Sequence, residues 1–206
     1  MAAAPVGTDL AAAAAAIQSG GVVAYPTDTV VGLGCDARNP TAVARLLAVK
    51  GRDDAKGLPV LIAAIADAAD LAVVTPDLLR LAEEFWPGAL TIVTAALPGQ
   101  PGGLMAADGT IGLRVPDLAL TRRLIERLDG PIVGTSANRS GKPPARNAAA
   151  IDPTLAAAID YILDGESGGR SSSTVITLAT RPPRLLRPGP VSLSNLRQIV
   201  PDLTDR

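Results

Sequence analysis

Short apolar runs alternate along the chain with segments whose apolar residues recur at helical spacing, and polar turn sequences divide them. GVVAY at 21–25 has the length and composition of a strand. LPVLIA (58–63), ALTIVTAA (89–96), TIGLRV (110–115), PIVGT (131–135), YIL (161–163), STVITL (173–178) and RLLR (184–187) read the same way. Helices lie between them. Asp9 caps a first, Ala-rich helix that stops at Gly20-Gly21. Asn39-Pro40 supplies a cap and first turn for TAVARLLAVK, and Thr75-Pro76 opens DLLRLAEEF, which Trp86-Pro87-Gly88 ends. In DLALTRRLIERL (117–128), Leu118, Leu124, Ile125 and Leu128 fall on one side. A further helix is predicted around 153–160, and Ser192 caps a last one, LSNLRQIV.

This order predicts an α/β fold: a twisted, mostly mixed or antiparallel sheet with flanking helices. Several strands follow one another with no helix between them, which disfavours an all-parallel sheet. No long linker, repeat or low-complexity boundary interrupts the pattern, so a single domain over residues 1–206 is expected. The run Gly168 to Ser173 reads as a loop, because a strand follows it at once.

Composition narrows the chemistry. The chain holds no histidine, which excludes a His general base, a Ser-His-Asp triad and His-ligated metal. Its one cysteine, Cys35, allows no internal disulfide and no zinc ribbon, and reads as a buried small residue. Aromatic residues make up 2%, so the core is built from Ala, Val, Leu and Ile. A net charge of −1 and a pI near 5.4 argue against a general nucleic-acid coat or membrane-surface binder. No apolar stretch reaches the ~20 residues that span a bilayer, and the N-terminus lacks the basic region of a secretory signal. A cytoplasmic location with no membrane partner is the expectation.

The polar residues collect where strands and helices end. Thr27, Asp28 and Thr29 follow the first strand, in PTDTVVGLG (26–34). Lys50, Gly51 and Arg52 end a helix, with Lys56 close behind. Thr110 and Arg114 share one face of their strand, by the period-two alternation of side chains. Ser136, Ala137, Asn138, Arg139 and, further on, Arg146 follow PIVGT; Ser173 and Thr174 open a strand and Arg187 ends one. Each signal has an ordinary counterpart. Ser-Ala-Asn is a good turn, Lys-Gly-Arg suits a helix C-terminus, Arg-Pro-Gly is a common loop, and Asp28 reads as a residue stabilising its own turn. Together, the hydroxyls and cations suit an anionic ligand with a smaller polar ligand beside it.

The segments GGVVAYPTDTVVGLGCDA, KGRDDAKGLPVLI, FWPGALTIV, IGLRVP, GTSANRSG, SSSTVITL and LLRPG resemble, in that order, the YrdC family of threonylcarbamoyl-adenylate synthases of tRNA modification. The resemblance implies an open concave site and a reaction of ATP, L-threonine and bicarbonate that yields threonylcarbamoyl-AMP and pyrophosphate. It implies amino-acid contacts at Thr29, Arg114, Ser136 and Ser173, with Arg114 on the carboxylate. Nucleotide contacts fall at Arg52, Lys56, Thr110, Asn138, Arg146 and Arg187, with Lys50 beside them. Lys50, Arg52 and Arg187 are the candidates for neutralising charge in the catalytic step. Three positions depart from the pattern: Val31 stands where tyrosine is frequent, Asp53 where proline often follows, and Leu61 where some members carry histidine.

The implied chemistry needs no covalent enzyme intermediate and so fits a chain without histidine. Mg2+ is expected to arrive on the triphosphate, with no metal site in the protein itself. The resemblance also implies a separate transferase complex acting on adenosine 37 of tRNA. Two alternatives compete. A carbamoyl-adenylate module of hydrogenase maturation shares the domain but carries cysteine-rich zinc modules that one cysteine does not supply. A double-stranded RNA or ribosomal RNA binding module would use the concave basic surface, but scarce aromatics argue against base stacking, and any direct RNA binding is expected to be weak.

Overall fold

A computed structural model describes residues 3–51, 57–139, 141–169 and 171–205. The strands in chain order are β1 (Val6–Gly7), β2 (Val23–Tyr25), β3 (Gly32–Gly34), β4 (Val60–Leu61), β5 (Leu90–Ala95), β6 (Thr110–Arg114), β7 (Ile132–Val133), β8 (Thr135–Ser136), β9 (Tyr161–Leu163), β10 (Thr174–Thr177) and β11 (Arg184–Arg187). The α-helices are α1 (Leu10–Gln18), α2 (Pro40–Lys50), α3 (Pro76–Phe85), α4 (Ala119–Leu128), α5 (Pro153–Ala156) and α6 (Leu193–Ile199).

Local chemistry sets most helix starts. Asp9 accepts from the Ala11 and Ala12 amides, Asn39 from Thr41 and Ala42, Thr75 from Leu78, and Ser192 from Asn195. Each bond satisfies a donor that the first helical turn leaves open. Gly51 ends α2 in the left-handed conformation at φ 57°, where a side chain would be strained.

The strands form two sheets, ordered β1-β9-β2-β3-β8 and β11-β10-β5-β6-β4-β7. Both are mixed: β2 runs parallel to β9 and antiparallel to β3, and β5 runs parallel to β10 and antiparallel to β6. The α/β class and the mixed pairing are therefore as expected, but the strands divide between two sheets. In the second sheet Ile92, Ile111, Leu113 and Ile176 point into the larger core, while Thr91, Val93, Thr110, Gly112, Arg114 and Val175 alternate with them onto the opposite face. A smaller core joins α1 to α4 through Ala13, Ile17, Leu124, Ile125 and Leu128, over Val23 and Leu163. Burying each of the large aliphatic side chains contributes on the order of 1.5–3 kcal/mol.

Several expectations need correction. PIVGT is not one strand. Ile132–Val133 pairs with β4 in one sheet and Thr135–Ser136 with β3 in the other, so Gly134 is the crossing point. A Cβ on Gly134 would meet the Leu61 side chain at 2.4 Å. Gly32–Gly34 forms a strand that was not among those expected. Its glycines let the chains close up: a Cβ on Gly34 would lie 1.9 Å from the Val133 carbonyl oxygen, which accepts the Tyr25 hydroxyl at 2.5 Å. In α4, Leu118 is the extended N-terminal cap and only half-buried, and Thr121 takes a buried position, donating to the Pro26 carbonyl. The helix expected around 153–160 ends at Ala156. Asp160 binds the Val22 amide and Arg45 instead, which draws the chain out toward β9.

Cys35 is fully buried, as expected, and burial pushes its thiol up to about 12. Among the described residues, no helix is long and apolar enough to cross a membrane.

Candidate active site

The polar face of the second sheet is the floor of a cavity of about 570 Å3. Its walls are the loop after β2, the segment Gly57–Leu61, residues 104–108, the β7–β8 crossing, and the starts and ends of β10 and β11. Of the expected site residues, Thr29, Thr110, Arg114, Ser136, Ser173 and Arg187 line it. Lys50, Asn138 and Arg146 do not line it, and Arg146 is exposed. Arg52 and Lys56, like Asp53, lie outside the described residues.

One cluster in the cavity is organised around Arg114. Its side chain is 6% exposed, and three of its five N–H donors are engaged. Nε donates to the Gly88 carbonyl at 2.8 Å, Nη1 to Thr29 Oγ1 at 3.1 Å and Nη2 to Asp28 Oδ2 at 2.6 Å. One N–H therefore remains on each Nη nitrogen, which is what a bidentate carboxylate takes. Burial lowers the guanidinium pKa from its ordinary value, and Asp28 opposes the shift. The charge is retained in either case.

Asp28 thus does not stabilise its own turn; it is the ion-pair partner of Arg114. The turn is held by other groups. Thr27 Oγ1 donates to the Val30 carbonyl at 2.6 Å and accepts from the Thr29 and Val30 amides. From outside, the Gly168 and Gly169 amides donate to the Thr27 and Thr29 carbonyls. The stretch Pro-Thr-Asp-Thr is therefore both a closed turn and the wall of a site.

A second cluster, around Ser173, lies across β5 from the Arg114 cluster. Arg187 Nε and Nη2 both donate to the Ser173 carbonyl, at 3.0 and 2.9 Å, and Nη2 also reaches Ser173 Oγ at 3.1 Å. Thr91, absent from the expected set, shares a hydrogen bond with Ser173 Oγ at 2.8 Å. Asp108, also absent from it, accepts from the Thr110 amide and hydroxyl. Behind the wall, Lys50 is 3% exposed and its Nζ donates to the Ser136 and Asn138 carbonyls at 2.5 and 2.9 Å. Asn138 Nδ2 donates to the Arg139 and Lys142 carbonyls, and its Oδ1 is buried with no partner. Leu61 lines the cavity, whereas Val31 lies in the core, so only the first of these two departures touches the ligand space.

Sequence reasoning missed Asp28, Gly88 and Thr91 as supports of the site. The signal for Gly88 was present in Trp-Pro-Gly, whose backbone turn delivers a carbonyl to Arg114, but only the folded chain shows the recipient.

Comparison with known proteins gives a consistent answer. The Threonylcarbamoyl-AMP synthase of Xanthomonas campestris pv. campestris (strain B100) is 39% identical over 171 residues, which cover 82% of this chain and 91% of that protein. The crystal structure of P. abyssi Sua5 complexed with L-threonine superposes with a TM-score of 0.89 at 35% identity, over 95% of this chain and 58% of the Sua5 chain. This chain thus spans little more than half of that protein. E. coli YciO superposes with a TM-score of 0.82 over 93% of this chain and 97% of its own; at 24% identity it supports the fold alone. The family Sua5/YciO/YrdC, described as "Telomere recombination", matches residues 15–189, a span that holds every residue lining the cavity. By sequence and by fold, this chain belongs to the Sua5/YciO/YrdC family.

Proposed function

We propose that the chain is a threonylcarbamoyl-AMP synthase, a nucleotidyltransferase that joins L-threonine, bicarbonate and ATP. One observation carries the reading: a buried arginine with two N–H donors left over sits beside hydroxyls in a polar cavity, and a second arginine, Arg187, lines the same cavity. The first arginine suits the carboxylate of an amino acid and the second a phosphate chain. The amine of threonine combines with CO2 from bicarbonate to give a carbamate. A carbamate oxygen attacks the α-phosphorus of ATP, a P–O bond forms, and pyrophosphate leaves with the electron pair of the broken bond. The protein's part is alignment and neutralisation of developing negative charge.

In this scheme Arg114, Thr29, Ser136 and Ser173 hold threonine. Thr110, Asn138, Arg146, Arg187, Arg52 and Lys56 hold the nucleotide, and Lys50 supports the wall between them. Among the described residues no group of three or more Asp, Glu or Cys side chains gathers to hold a metal. Mg2+ is accordingly assigned to the incoming triphosphate, where it would offset phosphate charge. The product would pass to a separate transferase for adenosine 37 of tRNA.

The test is a pyrophosphate-release assay on the purified chain. Release that requires threonine and bicarbonate together is the expected result; release that ignores either one removes the reading. Thr29→Val is a second check. It removes a buried hydroxyl bonded to Thr27 and Arg114 at nearly constant volume. Threonine affinity is expected to fall roughly tenfold. Stability should drop by only ~1 kcal/mol, or about 2–4 °C. A variant that melts lower yet binds threonine normally would leave Thr29 with a structural role alone.

A further inference from the structure

We infer that Asp28 is a positioning residue that makes the Arg114 cluster select a zwitterion over a simple anion. The inference rests on the synthase reading for the identity of the amino acid, but its argument comes from hydrogen-bond accounting. Thr27 commits its only hydroxyl proton to the Val30 carbonyl at 2.6 Å. Its two lone pairs accept from the Thr29 and Val30 amides, so the Thr27 hydroxyl is saturated, and Thr29 Oγ1 lies 2.9 Å from it. Thr29 Oγ1 accepts from Arg114 Nη1 and keeps a further lone pair. That lone pair suits an ammonium or hydroxyl on a ligand.

Arg114 offers the reverse, its two remaining N–H donors. The cluster thus presents donors for a carboxylate and an acceptor for an ammonium side by side. Asp28 completes the arrangement. It does not line the cavity, so it acts through Arg114. Its side chain is 14% exposed, Oδ2 holds Nη2 at 2.6 Å, and Oδ1 is buried with no partner. The Gly168 backbone packs against its own backbone and helps to close it from water. The Arg114–Asp28 pair carries no net charge. A lone buried arginine would hold any small anion, including stray phosphate or pyrophosphate; the neutral pair needs a ligand that brings its own positive charge.

The experiment compares L-threonine with 3-hydroxybutyrate, which is threonine without its ammonium. Calorimetric titrations are run on the unaltered chain, Asp28→Asn and Asp28→Glu, alongside pyrophosphate release. The unaltered chain is expected to prefer threonine by roughly tenfold or more. Asp28→Asn should weaken threonine and tighten 3-hydroxybutyrate, moving their ratio at least about tenfold. The KM for threonine should rise while the KM for ATP stays put. If both ligands weaken together, or neither changes, Asp28 is merely structural and the inference falls. Should Asp28→Asn fail to melt cooperatively, Asp28→Glu decides. It keeps the charge and must keep the preference for threonine; a Glu variant that prefers 3-hydroxybutyrate overturns the idea. A chain that binds threonine but releases no pyrophosphate sinks the synthase reading and leaves the binding ratios to judge Asp28. A chain that binds no threonine overturns both.

Discussion

Arg114→Ala is expected to abolish threonine-dependent pyrophosphate release while leaving ATP binding nearly intact. Truncating one partner of a buried, hydrogen-bonded charge pair costs about 2–5 kcal/mol of binding, roughly thirtyfold to several thousandfold. Stability should fall as well, because Asp28 keeps its charge in a nearly closed pocket with no partner. Breaking such a pair costs about 3–5 kcal/mol, or roughly 6–20 °C in a domain of this size. The two effects can be separated. Arg114→Met combined with Asp28→Asn removes both charges and should recover much of the melting temperature but none of the threonine binding. Titrations with each substrate and thermal melts on one preparation decide the matter. Lost ATP affinity with normal threonine affinity would mean that the roles of Arg114 and Arg187 have been assigned the wrong way round.

Lys50→Met is expected to weaken both substrates together. Lys50 sits at the last turn of α2, where the helix dipole favours a cation, and its ammonium reaches the Ser136 and Asn138 carbonyls. Those two residues flank the proposed threonine and nucleotide contacts, so one lysine supports both. Each charge-assisted bond contributes about 1.5–3 kcal/mol. The Ser136 carbonyl keeps the Asn138 amide as a donor, which tempers the loss. A clear fall in melting temperature with matched losses of ATP and threonine affinity is the expected pattern. If only turnover fell, with melting and both affinities unchanged, Lys50 would act on the reacting phosphate and not on the wall.

The parts of the fold legible in the sequence are those whose causes are local. Asp9, Asn39-Pro40, Thr75-Pro76 and Ser192 announce helix starts because the bonds they make span two or three residues. The strands β5 and β6 were legible because their apolar residues alternate. That alternation also predicted that Thr110 and Arg114 share a face, and both line the cavity. The candidate site was legible in outline because hydroxyls and cations recur at strand ends, in an order that resembles one family.

What the sequence by itself determined, then, is the α/β class, the caps, the absence of histidine chemistry and the residue types available at the cavity. Tertiary structure alone decided which of them meet. Asp28 reaches Arg114 across 86 positions of chain, and nothing in Pro-Thr-Asp-Thr distinguishes an acid that closes its own turn from one that neutralises a distant arginine. PIVGT reads as one strand because its side chains are uniformly strand-like, yet Gly134 splits it between two sheets. The shape of that seam depends on the Val133 carbonyl crowding Gly34 and the Leu61 side chain crowding Gly134. Local propensity acts over a few residues, whereas charge pairing and backbone close approach act between segments that only folding brings together.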